Sequence, residues 1–531
     1  MTGQLLCNVS HNKDETFAMQ VSRIQKMVHP AQVSAYIKEQ QRMALAGVRG
    51  RQPTKALLVF YASMENLCSV ARPLLDYISL SAIITATAKL WTSAQANSSF
   101  KPNADMLDFE MKHLYCSILL QLKPMLPDAK AQAVSNILWS SAKLRLNPDA
   151  LVPGMTDALA AKVLQLTRED VRRQPNAQDC AIFLWALATL GHDPSDQSLT
   201  DAVCDHFAML IKHHDESKRP SAQNCANFMW AVATLGHEPA DQSLADAVCD
   251  HFAMLIKHSD ESKRPNAGGA ANVMWALGRM KHAPADGVAS AILERLTTLC
   301  DLPGQAPNPQ SLSNTLFACA VLRLQVKEHV RTALIGGLLR LNRSAIDKQA
   351  YCNAAWSLAV SSMLSIDIFL ALLERLLSLP IAGPAHDILS TQQLTQLYQA
   401  FDSLQPLPAV AAKQLQNMVT RLGPVPLPHE NRAADLFVSK HLCAALELLG
   451  LAFTANVFLS GYWAEAVLHA QDNDIALVVL VTGHRDHIKN KDKRCVKRFV
   501  LCLYCPWPSM PVHVLSHSNL ITESPFAASC M

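Results

Sequence analysis

The apolar residues in the middle of the chain follow helical spacing, in blocks of about 45 residues. In one block, apolar side chains recur at Leu199, Val203, Phe207 and Leu210, which places them on one face of a helix. A polar DESKRP stretch follows, and a second apolar segment then ends at Gly236, a residue suited to a helix C-cap. Each block therefore predicts two helices joined by a polar loop.

The block is an internal repeat. Residues 196–240 and 241–285 differ at only 13 of 45 positions, and more divergent copies flank them. An aromatic residue marks the same position of successive copies, with spacings of 46, 45, 45, 42, 39 and 42 residues. These anchors are Trp139, Trp185, Trp230, Trp275, Phe317, Trp356 and Tyr398, and a further unit without an aromatic surrounds Thr85. The pattern predicts an all-α solenoid of stacked helix pairs.

Two features of the repeat have more than one interpretation. We expect the tryptophan to fill the core between helices, with stacking on a ligand as the alternative. An asparagine recurs three residues before the anchor, where it either forms a ladder of amide hydrogen bonds between units or faces a bound partner. These residues are Asn136, Asn227, Asn272, Asn314 and Asn353.

The string LWALATLG, which ends at Gly191, follows a Pro-Asn-Ala-Gln opening and precedes a His-acid-Pro turn. This combination resembles the octotricopeptide repeat proteins, over residues 80 to 410. The resemblance implies binding of single-stranded organellar RNA, in chloroplasts or alternatively mitochondria, to support transcript stability, processing or translation. The units here are longer than is usual for that family, and the last units are divergent.

The resemblance also implies roughly one repeat for each RNA base, as in other helical RNA-binding proteins. The polar positions at the start of the second helix are the candidate base-reading residues, together with the asparagines above: Gln178, Asp179, Gln223 and Asn224. The next copy has Gly268 and Gly269 there, which removes any side-chain contact. Exposed polar residues at a helix end are the alternative interpretation.

The pattern changes after a Pro-rich linker at residues 423–432. One amphipathic helix is predicted over residues 433–450, and strands are predicted within 461–468, 474–483 and 499–507. Residues 433–531 are therefore expected to form a small α/β domain after a solenoid over residues 56–422. This segment resembles a divergent RAP domain, which is related to restriction endonucleases.

Nuclease activity would need paired carboxylates around a divalent metal. Glu465 stands at the first acidic position, but Val478 and Leu480 occupy the second strand's usual acidic positions. Motifs of the P-loop, GxSxG and HExxH types are also missing from the sequence. We therefore expect no catalytic residue, no metal and no cofactor, and a nuclease is the less favoured alternative.

A basic stretch in the C-terminal segment predicts contacts with phosphate groups. Seven basic residues stand against two acidic ones between positions 485 and 498. A solvated loop is the alternative. The candidates are Arg485, Lys489, Lys493, Arg494, Lys497 and Arg498.

Composition narrows the protein class. Hydrophobic residues make up 50% of the chain and charged residues 17%, which excludes a disordered protein. The net charge of +3 is too small for binding nucleic acid through a global field, so any such binding depends on local patches. An odd number of cysteines, 15, without a dense framework favours reduced thiols, and we expect no membrane-spanning segment.

The segment 1–55 resembles an organelle transit peptide, since residues 16–55 carry seven basic residues and one acid. An exposed basic helix is the alternative. The leading hypothesis is an organellar RNA-binding protein, which an additional protein of an RNA-processing or translation complex could join. The rival is a protein-binding scaffold of the armadillo or HEAT type. A binding face rich in Lys and Arg favours the first, and an apolar or acidic face favours the second.

Overall fold

The computed structural model describes residues 17–97, 100, 104–169, 173–192, 198–237, 243–340, 347–378 and 389–404. It also describes single residues at 413, 415, 417, 418 and 421, and strands at 453–459, 462–469, 475–479, 501–502 and 514–515. The chain divides into two compact units, Met1–Leu334 and Ile335–Met531.

The first unit is helical throughout its described residues. Its helices are α1 (Phe17–Gln25), α2 (Pro30–Arg49), α3 (Pro53–Val70), α4 (Tyr77–Gln95), α5 (Ala104–Leu122), α6 (Ala131–Leu144), α7 (Pro148–Leu151), α8 (Met155–Thr167), α9 (Ala177–Leu190), α10 (Ser198–Ile211), α11 (Ala222–Leu235), α12 (Ser243–Ile256), α13 (Ala267–Met280), α14 (Asp286–Cys300) and α15 (Pro309–Val321). Helix α16 (Glu328–Arg340) crosses from the first unit into the second.

These helices form two rows. In one row, α4, α6, α9, α11, α13 and α15 pack each on the next, and we call them anchor helices because they carry the anchor position. In the other row, α8, α10, α12 and α14 pack in the same order, and we call them tie helices for the bonds described below. The stacked helix pairs confirm the predicted all-α solenoid.

The core between the rows does not contain the tryptophans, so the prediction that they fill it was wrong. Phe183, Leu184 and Phe228 are fully buried, and the Phe228 ring stacks on Phe207 of the adjacent tie helix with centroids 4.0 Å apart. Burying one such side chain contributes about 1.5–3 kcal/mol. The anchor tryptophans are only half-buried, because they lie one to two residues further round the helix.

Each tie helix makes a hydrogen bond to the carbonyl of the proline that precedes the neighbouring anchor helix. Because a carbonyl oxygen only accepts, the tie-helix residue must donate. The residue type that donates differs from one tie helix to the next, but the distance from its nitrogen to the proline carbonyl oxygen stays between 2.6 and 3.0 Å. The pairs are Lys162 with Pro127, His206 with Pro175, His251 with Pro220, and Arg295 with Pro265.

The position six residues after the anchor is left-handed in successive units. Gly191 and Gly236 have φ of 64° and 65°, which confirms the predicted C-cap at Gly236. Glycine adopts this conformation without a Cβ penalty. Other units place side-chain-bearing residues in the same strained region, at φ of 53° to 55°. These residues are Arg145, Lys281, Arg323 and Ser362.

The N-terminal basic segment includes a packed helix. Val33 and Tyr36 of α2 are buried, and α2 packs on α3 and α4. Arg23 pairs with Glu39 at 2.6 Å. The predicted boundary between residues 55 and 56 falls inside α3, so a leader removed there would also remove α2 from this core.

The second unit contains α17 (Lys348–Val360), α18 (Ile366–Leu377) and α19 (Thr391–Asp402), with α17 packed on both α18 and α19. Beyond them lie β1 (Phe453–Leu459), β2 (Tyr462–His469), β3 (Ile475–Val479), β4 (Leu501–Cys502) and β5 (Val514–Leu515). The first three strands form an antiparallel sheet in the order β1-β2-β3, with Val457 opposite Ala464 and Val467 opposite Val478. Strands β4 and β5 form an antiparallel pair.

The predicted linker at residues 423–432 and helix at 433–450 lie outside the described residues. In the described part of the chain, no helix has both the length and the apolar character required to cross a bilayer.

The left-handed position gives a stability test. Gly236→Ala adds a Cβ at φ 65° and should lower the free energy of unfolding by about 1 kcal/mol, measured by urea denaturation. Gly287→Ala is the control, since Gly287 is not in the left-handed region and a Cβ there meets nothing within 4 Å. Equal losses for both variants would contradict the assignment.

Candidate functional site

A groove of about 1190 Å³ runs across the anchor helices of the first unit. Its floor is one face of each helix, formed by positions seven and three residues before the anchor, the anchor itself and the position four after it. Gln178, Ile182 and Trp185 supply this face on α9, at helical spacings of four and three. The last turn of α10 and the loop after it form the wall. A second groove, of about 840 Å³, lies one unit further along and is lined by the positions seven and three residues before the anchor on α11 and α13, without an anchor tryptophan among its described lining residues.

The anchor tryptophans form an aromatic row along the unit. The Lys143 ammonium lies 5.9 Å from the ring centroid of Trp139 and 5.0 Å from that of Trp185, within cation–π range of both. Further along, the rings of Trp230 and Trp275 stack with centroids 6.3 Å apart. Of these half-buried rings, Trp139 and Trp185 present apolar area to the first groove, whereas Trp230 and Trp275 are not among the described lining residues of either groove.

The asparagine amides differ between the two units. On α17 and α19 they form a ladder: Gln349 Nε2 and Gln396 Nε2 both donate to Asn353 Oδ1, at 2.7 and 2.8 Å. In the first unit, Asn136 and Asn227 line the first groove and Asn272 lines the second. No side-chain hydrogen bond to another described residue holds any of these three amides. Asn353 is therefore held in an amide ladder in the second unit, whereas Asn136, Asn227 and Asn272 leave their amides open to the grooves, and their contact with a partner stays a prediction.

The lining of the first groove is basic. Its described lining residues include Lys89, Lys143, Lys218 and Arg219 but no aspartate or glutamate. Arg219 is partly engaged, because its Nε donates to the His213 carbonyl at 2.7 Å. A low-dielectric groove with one sign of charge concentrates counter-ions of the other sign. The site therefore suits an extended anion.

The second groove is less uniform. Its described lining includes Arg219, Lys263 and Arg264 together with one acid, Glu216. The floor position occupied by Gln223 on α11 is Gly268 on α13, where an added Cβ would meet only the Asn266 side chain at 3.6 Å. Side-chain contact from this floor position is therefore missing, as the sequence suggested.

The predicted base-reading residues separate into two groups. Gln178, Gln223 and Asn224 line the first groove, the two glutamines being exposed. Asp179 is buried instead, and its carboxylate accepts from the Asn176 N–H at 3.2 Å in a capping box. The structure thus gives Asp179 a helix-capping role in place of the predicted contact.

The remaining candidates lie elsewhere. Asn314 is half-buried on α15 and lines neither groove, and Asn353 belongs to the ladder. The six basic candidates between residues 485 and 498 lie outside the described residues.

Sequence reasoning missed the basic residues of the floor. Lys143 stands four residues after Trp139, and Lys89 stands four after Thr85, the corresponding position of α4. Their common distance from the anchor was the available signal. The tie-helix histidines were also missed. Each contacts a proline carbonyl 31 residues away in the sequence, so their common role is recognised only from the structure. Among the described residues, no cluster of three or more histidine, cysteine or acidic side chains is arranged to hold a metal ion.

Comparison with known proteins gives little further guidance. No protein family matches the chain, and no curated protein resembles it. Among solved structures it is similar to the crystal structure of Efr3, at 10% sequence identity and a TM-score of 0.17, over 80% of this chain and 94% of that one. A likeness of this size supports no argument about fold or function, and the solenoid rests on the helices described above.

Asp179 gives a test by pH. Burial raises the pKa of this carboxyl to about 6, and the bonds from Asn176 and Ser135 offset only part of that effect. The protonated form is therefore favoured in the fold, and its stabilising contribution, complete below about pH 4, is lost as pH rises through about 6. Asp179→Asn should raise the free energy of unfolding at pH 7.5 by roughly 1–3 kcal/mol.

The benefit should shrink toward zero at pH 4 in urea titrations at both pH values. Asn224 occupies the same position of the next unit, so the fold accepts asparagine there. Asp205→Asn, at an exposed position of α10, is the control. A pH-independent difference for Asp179→Asn would show that carboxylate burial is not its cause.

Proposed function

We propose that the chain binds single-stranded RNA along the anchor-helix floor and acts by occupying the RNA, without catalysis. One observation carries this proposal: the first groove combines half-buried tryptophans, open amides and basic side chains, and has no acid among its described lining residues. A single-stranded nucleic acid needs surfaces for base stacking, hydrogen-bonding groups for base edges and positive charge for phosphates, and these three types of side chain supply all of them.

Each type has a separate task. Aromatic rings stack with bases of any kind, contributing about 1–3 kcal/mol per base. Amides such as Asn136 and Asn227 can both donate to and accept from base edges, which allows selection among sequences. Lys89 and Lys143 would neutralise phosphates and release counter-ions.

The finer assignment follows the sequence resemblance. We propose an octotricopeptide-repeat protein of the chloroplast, or alternatively the mitochondrion, which supports transcript stability, processing or translation. The C-terminal segment would be the RAP-like α/β domain, with the β1-β2-β3 sheet as its strand portion and Glu465 within β2. It would add phosphate contacts from residues 485–498 and recruit partner proteins.

The rival is a peptide-binding scaffold of the armadillo or HEAT type, whose open asparagines would hold an extended main chain. The basic side chains of the groove disfavour a basic peptide. Binding of a neutral or acidic peptide is the alternative result of the experiments below. We favour RNA because a polyanion uses the lysines and the aromatic row at once.

Salt dependence gives the first test. In the double variant Lys89→Ala/Lys143→Ala, the slope of log affinity against log salt should become less steep by about 1.4, since each phosphate on a single strand contributes about 0.7. Filter binding with a random-sequence RNA should also show an affinity about tenfold lower near 0.15 M salt.

The matched control is Lys112→Ala/Lys327→Ala, which removes the same charge from exposed ion pairs outside both grooves. It should leave the slope nearly unchanged. Equal effects of the two double variants would place RNA on another surface. Absence of RNA binding by the unmodified chain, with capture of a neutral or acidic peptide, would favour the scaffold.

The aromatic row gives a second test. Trp185→Leu should weaken RNA binding about tenfold, because one stacking platform is lost while an apolar side chain is retained. Trp91→Leu is the control, since Trp91 is half-buried against Phe100 and lines neither groove. Fluorescence anisotropy with a labelled oligonucleotide measures both, and equal losses would argue against stacking at Trp185.

A further inference from the structure

The tie-helix bonds set the tautomer of the neutral ring at two histidines in the grooves. His206 Nε2 lies 2.7 Å from the Pro175 carbonyl, and His251 Nε2 lies 2.8 Å from the Pro220 carbonyl. Since a carbonyl cannot donate, each Nε2 carries the proton, and Nδ1 of the neutral ring keeps a lone pair. Each histidine is thus a donor toward the protein and an acceptor on its other side.

Those acceptors have no partner in the described part of the chain. His206 is 4% exposed, lines the first groove, and has a buried Nδ1 without a hydrogen bond. His251 lines the second groove, and its ring makes no hydrogen bond other than that to Pro220 among the described residues. A buried acceptor without a donor is unfavourable, and a ligand that supplies an N–H or O–H would relieve this at His206.

A candidate donor lines the same groove as each acceptor. His213 and His258 belong to the loops that follow α10 and α12, and they line the first and the second groove respectively. Their Nδ1 atoms accept from the backbone N–H groups of Asp215 and Asp260, at 3.0 and 2.9 Å. In the neutral ring the proton is then on Nε2, which can donate. Each groove wall therefore offers an acceptor on the tie helix and a donor on the loop that follows it.

In the adjoining units, the residue that donates to the proline carbonyl has no hydrogen-bond acceptor of its own. Lys162 Nζ donates to the Pro127 carbonyl and Arg295 Nε donates to the Pro265 carbonyl, at 2.6 and 3.0 Å. Neither cation has a lone pair to offer a ligand. The packing requirement is thus met equally by lysine, histidine or arginine, and only histidine adds an acceptor.

We propose that His206 and His251 are specificity-determining residues, which accept a hydrogen bond from an N–H or O–H group of the bound nucleotide. This inference rests on the proposed RNA binding. The donor is either an amino or imino group of a base or the 2′-hydroxyl of a ribose. The units carrying Lys162 and Arg295 contribute charge but do not discriminate at this position.

The test uses the double variant His206→Arg/His251→Arg in the full chain. Arginine can donate to the proline carbonyl, as Arg295 does, but it has no acceptor for a ligand. His206→Lys/His251→Lys, in the manner of Lys162, is the second variant if the first is unstable. His113→Arg/His329→Arg adds the same charge at exposed positions outside the grooves and is the control.

Three probes of one sequence separate the sources of the donor: an adenosine-containing RNA, the same RNA with purine riboside in place of adenosine, and the same sequence as DNA. For the unmodified chain and the control, we expect affinity to fall about fivefold or more with the probe that lacks the donor. A loss with purine riboside identifies the base amino group, and a loss with DNA identifies the 2′-hydroxyl.

In the histidine variants, the ratio of the affinity for the probe with the donor to that for the probe without it should approach one, while thermal unfolding stays unchanged. A ratio that persists in a folded variant overturns the inference but leaves RNA binding intact. Equal affinity of the unmodified chain for all three probes also overturns it. Failure of the unmodified chain to bind any probe rejects the proposed function and this inference with it.

Discussion

The first unit depends on the burial of one helix face between neighbouring repeats. Helices of 14 residues, such as α9, α11 and α13, are too short to be stable alone in water. Their stability comes from side chains such as Phe183 and Phe228, which have no exposure once the next pair is in place. Everything else in the site follows from this packing, because it fixes which face of each anchor helix remains open.

The tandem duplicates show how this constraint leaves room for change. On α13, Gly278 replaces the alanine found at position 233, and an added Cβ there would lie 3.0 Å from Ala318 Cα of the next anchor helix. A close helix contact thus accounts for one of the 13 differences. Others fall on the open face, as with Gln223 and Gly268, where packing imposes no choice. The core itself also differs between the duplicates, since Val273 stands where the preceding copy has Phe228 and both side chains are buried.

The sequence predicted the architecture because helical periodicity and the caps are local signals. The unit of two helices, the N-cap at Ser221 and the left-handed Gly236 could all be recognised without tertiary information. The role of Trp185 could not, since a tryptophan at helical spacing looks the same in a core and on a groove floor. Asp179 was misassigned for a related reason: a carboxylate at the third helical position both caps the helix and resembles an exposed contact. Strands β2, β3 and β4 overlap the predicted segments, β1 and β5 were not predicted, and the basic residues between 485 and 498 are outside the described residues.

The central claim is that RNA lies on the anchor-helix face of the first unit. Photocrosslinking of the full chain to an RNA containing 4-thiouridine, followed by mass spectrometry of the crosslinked peptides, tests it most directly. The account predicts crosslinks in α6, α9, α11 and α13 at or beside Trp139, Trp185, Trp230 and Trp275. Crosslinks confined to the exposed faces of α10 and α12, or to residues beyond 422, would contradict it.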